Sequence, residues 1–232
     1  MAKPPRERRK TGDAVHVGSA KIEIASEAIV IIDIVQATAT SDLFGWYAVG
    51  RTLIRQLRQL VEEIGTSRGL SCIKSTGDGF LLTYRDNKSA ELAAIDALQA
   101  SFQLLRRLED WNARAPEERQ IAIRVAVHFG EVDIQPNDRE GPNVAYTFRV
   151  EAVSRESLPQ ALDAIDPEQF PLRNYVICSE RVYDIVSRRK PDWTTRSCGL
   201  FRLKGFSGWW GLFLVSAPDL YNPAPSSTRI DN

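Results

Sequence analysis

The apolar positions of this chain follow two spacings in turn, one typical of strands and one typical of helices. Residues 27–35 (EAIVIIDIV) form a β-branched run that indicates a buried strand. Over 42–69 the apolar residues recur at helical spacing and end in two glycines, which predicts a long helix. Residues 70–84 predict a strand, a tight turn and a strand, and residues 87–114 predict a second long helix. Alternation over 119–134 then predicts a half-buried strand.

The C-terminal part continues with shorter elements. It predicts a polar loop, a helix, a strand, a helix and two strands, over 135–142, 143–157, 174–179, 180–189, 199–205 and 209–215. The first elements run in the order strand, helix, hairpin, helix, strand, and we expect the helices on one face of an antiparallel sheet. This order predicts an α+β fold of the ferredoxin-like βαββαβ type with C-terminal additions.

Length and charge limit the domain organisation and the partners. The 232 residues suit one well-buried domain, predicted over 27–217, between a disordered basic arm over 1–26 and a flexible tail over 218–232. The 30 basic and 30 acidic side chains balance, so no net field favours nucleic acid or a membrane. The longest apolar run is far shorter than the roughly 20 residues that a bilayer needs. Three cysteines without metal-ligand spacing fit a reducing compartment, so we expect a cytoplasmic protein.

Two aspartates interrupt this pattern. Asp33 breaks the apolar run of the first strand, and Asp78 lies at the tip of the hairpin, in KSTGDGF. A lone carboxylate in a buried strand is costly unless it is paired, protonated or bound to a metal. In a βαββ unit the first strand lies beside the hairpin, so we expect the two carboxylates close together with divalent cations between them. The alternative is a helix N-cap at Asp33 and an ordinary turn residue at Asp78.

Five motifs resemble, in the same order, those of the class III nucleotidyl cyclases, the adenylate and guanylate cyclase family. They are IVIIDIVQATAT, IKSTGDGF, IRVAVHFGEV, GPNVAYTFRVEA and FRLKG. The resemblance runs from residue 27 to residue 216 and implies the catalytic domain of that family. It makes Asp33 and Asp78 the metal carboxylates for two divalent cations, Mn²⁺ or Mg²⁺, with the backbone carbonyl of Ile34 as a further ligand.

The same resemblance assigns the residues that would bind the nucleoside triphosphate substrate. Lys74 matches the lysine that reads the base, and Asp138 matches its acidic partner. Arg149 matches the arginine that stabilises the transition state, and Lys204 matches the lysine that meets the terminal phosphates. These roles suit the residue types, because arginine offers phosphate oxygens a planar fork of donors and lysine offers a compact charge.

The reaction that the resemblance implies is attack of the ribose 3′-hydroxyl on the α-phosphorus, with pyrophosphate leaving. In this family the metal ligands and the arginine and lysine come from opposite subunits. A single chain that carries both sets therefore implies a homodimer with two shared sites.

The chain departs from the family pattern at the ribose motif and at the phosphate loop. Ala145 stands where the family has a ribose-orienting asparagine, and Asn143, two residues away, would point elsewhere on a helix. Gln36 and Ala37 replace the Gly-Phe that follows the first aspartate. These changes put ribose handling in question.

The identity of the base stays open between two branches of the family. Lys74 with Asp138 fits adenine, because the pair offers one donor and one acceptor. The altered ribose motif and the short chain resemble instead the bacterial pyrimidine cyclases of anti-phage signalling, which make cyclic UMP or cyclic CMP for a separately encoded effector. The sequence therefore favours a pyrimidine cyclase, with an adenylate cyclase or a catalytically inactive nucleotide-binding module as alternatives.

Other functional classes fit less well. A ferredoxin-like nucleic-acid binder would need exposed aromatic residues on its sheet, where this chain has Ile and Val. His128 lies in an alternating strand and is expected to be a structural histidine, and Trp209 and Trp210 are expected to be packing or dimer residues. No histidine-based triad or metal site is expected.

Overall fold

The computed structural model of this protein describes residues 23–35, 43–86, 88–159, 164–190 and 192–223. The residues predicted as arm and tail over 1–22 and 224–232, and the phosphate-loop departures at Gln36 and Ala37, lie outside the described residues. The first strand begins at Glu23, before the domain boundary that the sequence predicts at residue 27.

The described residues form eight strands and four α-helices, and all of them except one short strand, β5, follow the predicted order. The strands are β1 (Glu23–Val35), β2 (Leu70–Ser75), β3 (Gly79–Tyr84), β4 (Ala122–Gln135), β5 (Asp138–Glu140), β6 (Tyr175–Ser179), β7 (Thr194–Phe201) and β8 (Trp210–Ser216). The helices are α1 (Leu43–Thr66), α2 (Ala90–Asn112), α3 (Pro142–Glu151) and α4 (Glu180–Arg189), with short 3₁₀ turns at Glu117–Arg119, Arg155–Ser157 and Pro167–Gln169.

All eight strands belong to one sheet. Its order is β2-β3-β1-β4-β6-β8-β7, and β5 pairs with β4 as a hairpin. The neighbours are antiparallel except for β4 and β6, which are parallel. The β2-β3-β1-β4 part is the predicted ferredoxin-like unit, and β6, β7 and β8 extend it as the predicted C-terminal additions.

The central strand β1 is buried on both faces, which explains its continuous apolar run. Val30, Ile32 and Ile34 contribute to a core that contains residues of α1, α2 and α4. Ile29 and Ile31 point to the opposite face and join a second core with residues of α3. The two helices of the predicted unit, α1 and α2, thus lie on one face as expected, and α3 supplies the cover that a strand apolar on both faces requires on the other.

Three predicted boundaries differ from the structure. The polar loop predicted over 135–142 contains β5, whose three residues extend the sheet beside β4. The helix predicted over 143–157 ends at Glu151. The strand predicted over 199–205 ends at Phe201, so Lys204 lies in the following turn.

Among the described residues, no helix combines the length and the apolar character that crossing a membrane requires.

Candidate functional site

The sheet register brings the two sequence-predicted metal residues to adjacent strands. Asp33, near the end of β1, pairs with Gly79, the first residue of β3, and Asp78 lies in the turn directly before Gly79. A Cβ atom at Gly79 would lie 2.0 Å from the carbonyl oxygen of Ile32, so only glycine permits this approach of the two strands. The pairing of β1 with β3 stops at Asp33, and Ile34, the predicted carbonyl ligand, follows beyond it.

Asp33 has a partner that the sequence analysis missed. The Arg124 Nη2 atom lies 2.6 Å from Asp33 Oδ2 and 3.0 Å from Glu151 Oε1, so one guanidinium joins β1 to the last residue of α3. Burial disfavours the charged guanidinium, but the hydrogen bond to Asp33 and the charge of Glu151 outweigh burial and raise the pKa of Arg124. Arg124 lies opposite Asp33 in the β1–β4 register. No signal within either strand could have identified the pair, because the register of β1 against β4 sets it.

Glu151 is partly buried beside Arg124 and lies near the negative charges of Asp33 and Asp78. Burial raises its pKa to about 7; the Arg124 charge acts to lower it, while the charges of Asp33 and Asp78 raise it further. Asp33 and Asp78 therefore both lie within electrostatic range of Glu151. The repulsion from Asp33 and Asp78 adds to burial in disfavouring the charged form of Glu151.

The donor chemistry fits a divalent cation that arrives with a polyphosphate. Among the described residues, no cluster of three or more His, Cys, Asp or Glu side chains could hold a metal ion. Mg²⁺ is commonly bound by one or two carboxylates while phosphate oxygens and water complete its shell. Asp33 and Asp78, with the backbone carbonyl of Ile34, would offer a limited set of hard oxygen ligands of this kind.

The sequence-predicted base-reading residues form an ion pair. Lys74 lies on β2 and Asp138 begins β5, and the Lys74 ammonium contacts Asp138 Oδ2 directly. The hydrogen bond that Lys74 donates to Asp138 raises the pKa of Lys74, so the lysine carries its charge throughout the neutral range. The pair is partly exposed and presents a donor and an acceptor side by side.

Arg149 and Lys204 line one cleft of about 340 Å³. Arg149 is exposed in the last turn of α3, and Lys204 lies in the turn after β7. Arg202 also lines the cleft and places its guanidinium carbon 4.7 Å from the ring centre of Trp209, which is 58% exposed. The described lining includes these three cations and no carboxylate, so the cleft suits an anionic ligand.

The cleft and the carboxylates are separate in one chain. Neither Asp33 nor Asp78 lines the cleft, although Arg149 and Glu151 are two residues apart on α3. Glu151 reaches Arg124 beside Asp33, whereas Arg149 faces the cleft.

Asn143 cannot replace the asparagine that the ribose motif lacks, because the fold already uses its side chain. Its Oδ1 atom lies 3.0 Å from His128 Nε2, and its Nδ2 group donates to the carbonyl of Glu131 at 2.8 Å. His128 Nδ1 lies 2.8 Å from the Ser179 hydroxyl, so both ring nitrogens have protein partners. Ala145 is exposed on α3 and has no polar side chain to offer.

Acid should destabilise the fold through His128. Burial lowers the pKa of His128 to about 4, so between pH 6.5 and pH 4 the unfolded chain binds a proton that the folded protein excludes. Stability from this group is fully present above pH 6.5 and is lost as the pH falls, by about 2 kcal/mol at pH 5. Urea unfolding at pH 7 and pH 5 measures the loss, with His128→Gln as the control that lacks it. Equal losses in both proteins would contradict the assignment.

Comparisons with known proteins place the fold. No protein-family model matches the chain. A protein named putative adenylate cyclase 3 from Rhizobium meliloti (strain 1021) is 27% identical over 103 residues, 44% of this chain but only 16% of that relative. The adenylyl cyclase CyaB from P. aeruginosa superposes with a TM-score of 0.65 at 17% identity, covering 86% of this chain and 100% of that one. The catalytic core of a rhodopsin-guanylyl cyclase, solved with ATPαS, gives 0.63 at 18% identity, covering 85% and 99%.

Proposed function

Because the chain has the fold of the class III nucleotidyl cyclase catalytic domains, we propose that it converts a nucleoside triphosphate into a 3′,5′-cyclic nucleotide and pyrophosphate. The observation that carries the proposal is the cleft in which Arg149 and Lys204, from separate elements, meet without a described carboxylate. A cyclase needs such a cationic surface to hold a triphosphate and to stabilise the charge that develops on it.

The proposed reaction needs no side-chain nucleophile. The ribose 3′-oxygen forms a bond to the α-phosphorus, the bond from that phosphorus to the bridging oxygen breaks, and pyrophosphate leaves with the electron pair. The hydroxyl proton passes to solvent. The Arg149 guanidinium donates to the phosphate oxygens that gain charge, and the Lys204 ammonium holds the terminal phosphates.

Asp33, Asp78 and the Ile34 carbonyl would hold two divalent cations, Mn²⁺ or Mg²⁺. When bound, these ions would lower the pKa of the 3′-hydroxyl and neutralise the phosphates. Arg124 holds the Asp33 carboxylate in place through Oδ2. Rigid placement of this kind reduces the entropy that the site must lose when substrate binds.

The site that we propose is completed by a second copy of the chain. The carboxylates and the cationic cleft of one chain do not line a common cavity, so one nucleotide would meet the carboxylates of one subunit and Arg149 of its partner. A two-fold dimer then contains two such sites.

We propose a pyrimidine triphosphate, UTP or CTP, as the substrate, and the cyclic product as a signal for a separately encoded effector. Support comes from the ribose motif, where Ala145 has no polar group and Asn143 is held by His128 and Glu131. The second candidate is an adenylate cyclase, which the donor and acceptor of the Lys74–Asp138 pair favour. A third is a nucleotide-binding module without turnover, which the exposed Ala145 favours.

The test is to incubate the purified protein with ATP, GTP, CTP and UTP together and to identify products by mass spectrometry, in Mn²⁺ and in Mg²⁺. We expect cyclic UMP or cyclic CMP. Cyclic AMP as the main product would overturn the pyrimidine assignment and keep the cyclase. The absence of any cyclic nucleotide with both ions would overturn the proposed activity. Protein carrying Asp33→Ala, purified in parallel, controls for contaminating cyclases.

A further inference from the structure

A carboxylate is fully buried in the middle of the sheet, away from the proposed metal residues. Glu27 on β1 is 0% exposed, and its Oε2 atom accepts a hydrogen bond from Arg139 Nε at 2.7 Å. Arg85 forms a second ion pair with Oε1, at 2.9 Å. Burial alone would raise the pKa of Glu27, but the hydrogen bonds from Arg139 and Thr83 and the two arginine charges outweigh it and lower the pKa. Glu27 is therefore an anion at neutral pH, and its two oxygens hold the guanidinium of Arg139.

Arg139 uses every N–H donor of its side chain. The Nε and Nη2 groups donate to the two oxygens of Glu27. Nη2 also donates to the Ser71 carbonyl, at 3.4 Å. The two Nη1 bonds reach the carbonyls of Gln135 and Asp138, at 3.2 and 2.8 Å. Guanidinium has five N–H donors in a rigid plane, and here all five have acceptors.

The three backbone carbonyls among these acceptors lie close in the chain to the base-reading pair. Ser71 lies on β2, three residues before Lys74, while Gln135 and Asp138 flank the turn from β4 to β5. The planar fork of Arg139 therefore sets the distance between this turn and β2. A lysine at residue 139 could reach Glu27 but could not bridge all of these groups, because its ammonium is a single point of charge.

Both oxygens of the Asp138 carboxylate are held as well, one by the backbone of residue 139 and the other by Lys74. The backbone N–H of Arg139 donates to Asp138 Oδ1 at 2.7 Å, and Oδ2 pairs with Lys74. Arg139 is 7% exposed and all of its side-chain donors are occupied, so it offers no hydrogen bond to a base itself. Its influence on a bound nucleotide would pass through Asp138 and Lys74.

We propose that Arg139 is a positioning residue for base selection, which holds Asp138 and Lys74 at the spacing that distinguishes one nucleobase from another. The proposal rests on the proposed function, because it deepens the role of the same site. Hydrogen bonds of fixed direction distinguish one base edge from another. A small displacement of the donor and the acceptor therefore weakens binding of the preferred base more than binding of its competitors.

The test compares Arg139→Lys with Leu98→Ala, a control that removes a fully buried side chain from α2, remote from the pair. For each protein, kcat/KM is measured for ATP, GTP, CTP and UTP, and binding of the four is measured by displacement of a fluorescent nucleotide. Both variants should unfold at lower denaturant concentration than the wild type. Only Arg139→Lys should reduce the ratio of kcat/KM for the best nucleotide to kcat/KM for the second-best, by about tenfold. An unchanged ratio in Arg139→Lys would overturn the proposal.

A double substitution separates positioning from a general effect on the sheet. If Arg139 acts through Asp138, then adding Arg139→Lys to Asp138→Asn should change the base ratio no further, because the group that Arg139 positions is already lost. A further full tenfold fall in the double variant would overturn the proposal.

The two proposals can fail separately. If the wild type binds nucleotides without forming cyclic product, the proposed activity fails, and the binding ratio alone decides the role of Arg139. If the wild type binds none of the four nucleotides, both proposals are overturned.

Discussion

Asp78→Ala should reduce the rate of cyclic nucleotide formation by about a thousandfold or more and leave the fold intact. Asp78 is exposed in the β2–β3 turn, so its removal takes away a proposed metal ligand without opening the core. Initial rates in saturating Mn²⁺ and the midpoint of thermal unfolding measure the two effects. Asp110→Ala, which removes an exposed carboxylate from the end of α2, is the matched control. It should leave the initial rate and the midpoint of thermal unfolding unchanged.

Asp33→Ala should lose activity to the same extent but should also lose stability. Arg124 would lose the partner at 2.6 Å, at a cost of about 1 to 3 kcal/mol for a partly buried, charge-assisted hydrogen bond. The two variants should therefore lose activity to the same extent, but only Asp33→Ala should lose stability. Retention of more than about a tenth of the wild-type rate by either variant would contradict the metal assignment.

Mixing two inactive proteins should restore activity if the sites are shared between subunits. Asp78→Ala inactivates the carboxylate half of a site, and Arg149→Ala inactivates the cleft half. A mixed dimer of the two then has one intact site and one doubly damaged site. With random exchange, half of the dimers are mixed, so about a quarter of the wild-type activity should return.

The matched control for this experiment mixes Asp78→Ala with Asp33→Ala. Both substitutions damage the carboxylate half, so each site of the mixed dimer lacks one ligand and no activity should return. Light scattering and differently tagged subunits establish that mixed dimers form. Mixed dimers without restored activity from Asp78→Ala and Arg149→Ala would contradict the shared site, even if the wild type is an active cyclase.

The sequence by itself determined the order and type of the core elements. Hydrophobic spacing along the chain identified β1, the two long helices, the hairpin and β4, because each spacing reflects the geometry of a single element. Glycine placement likewise identified the tight turn beside Asp78. Candidate residues such as Lys74 and Arg149 came from motifs, whose order in the chain does not depend on how the strands pair.

Only the tertiary structure decided what lies next to what. The Arg124 bridge between Asp33 and Glu151 depends on the β1–β4 register and on α3 covering the second face of the sheet, and no local pattern encodes either. Arg139 belongs to a segment whose polar composition predicts a loop, yet its side chain is buried against Glu27, 112 residues away. Periodicity reports which face of an element is apolar, whereas the partner of a buried charge depends on where distant strands meet.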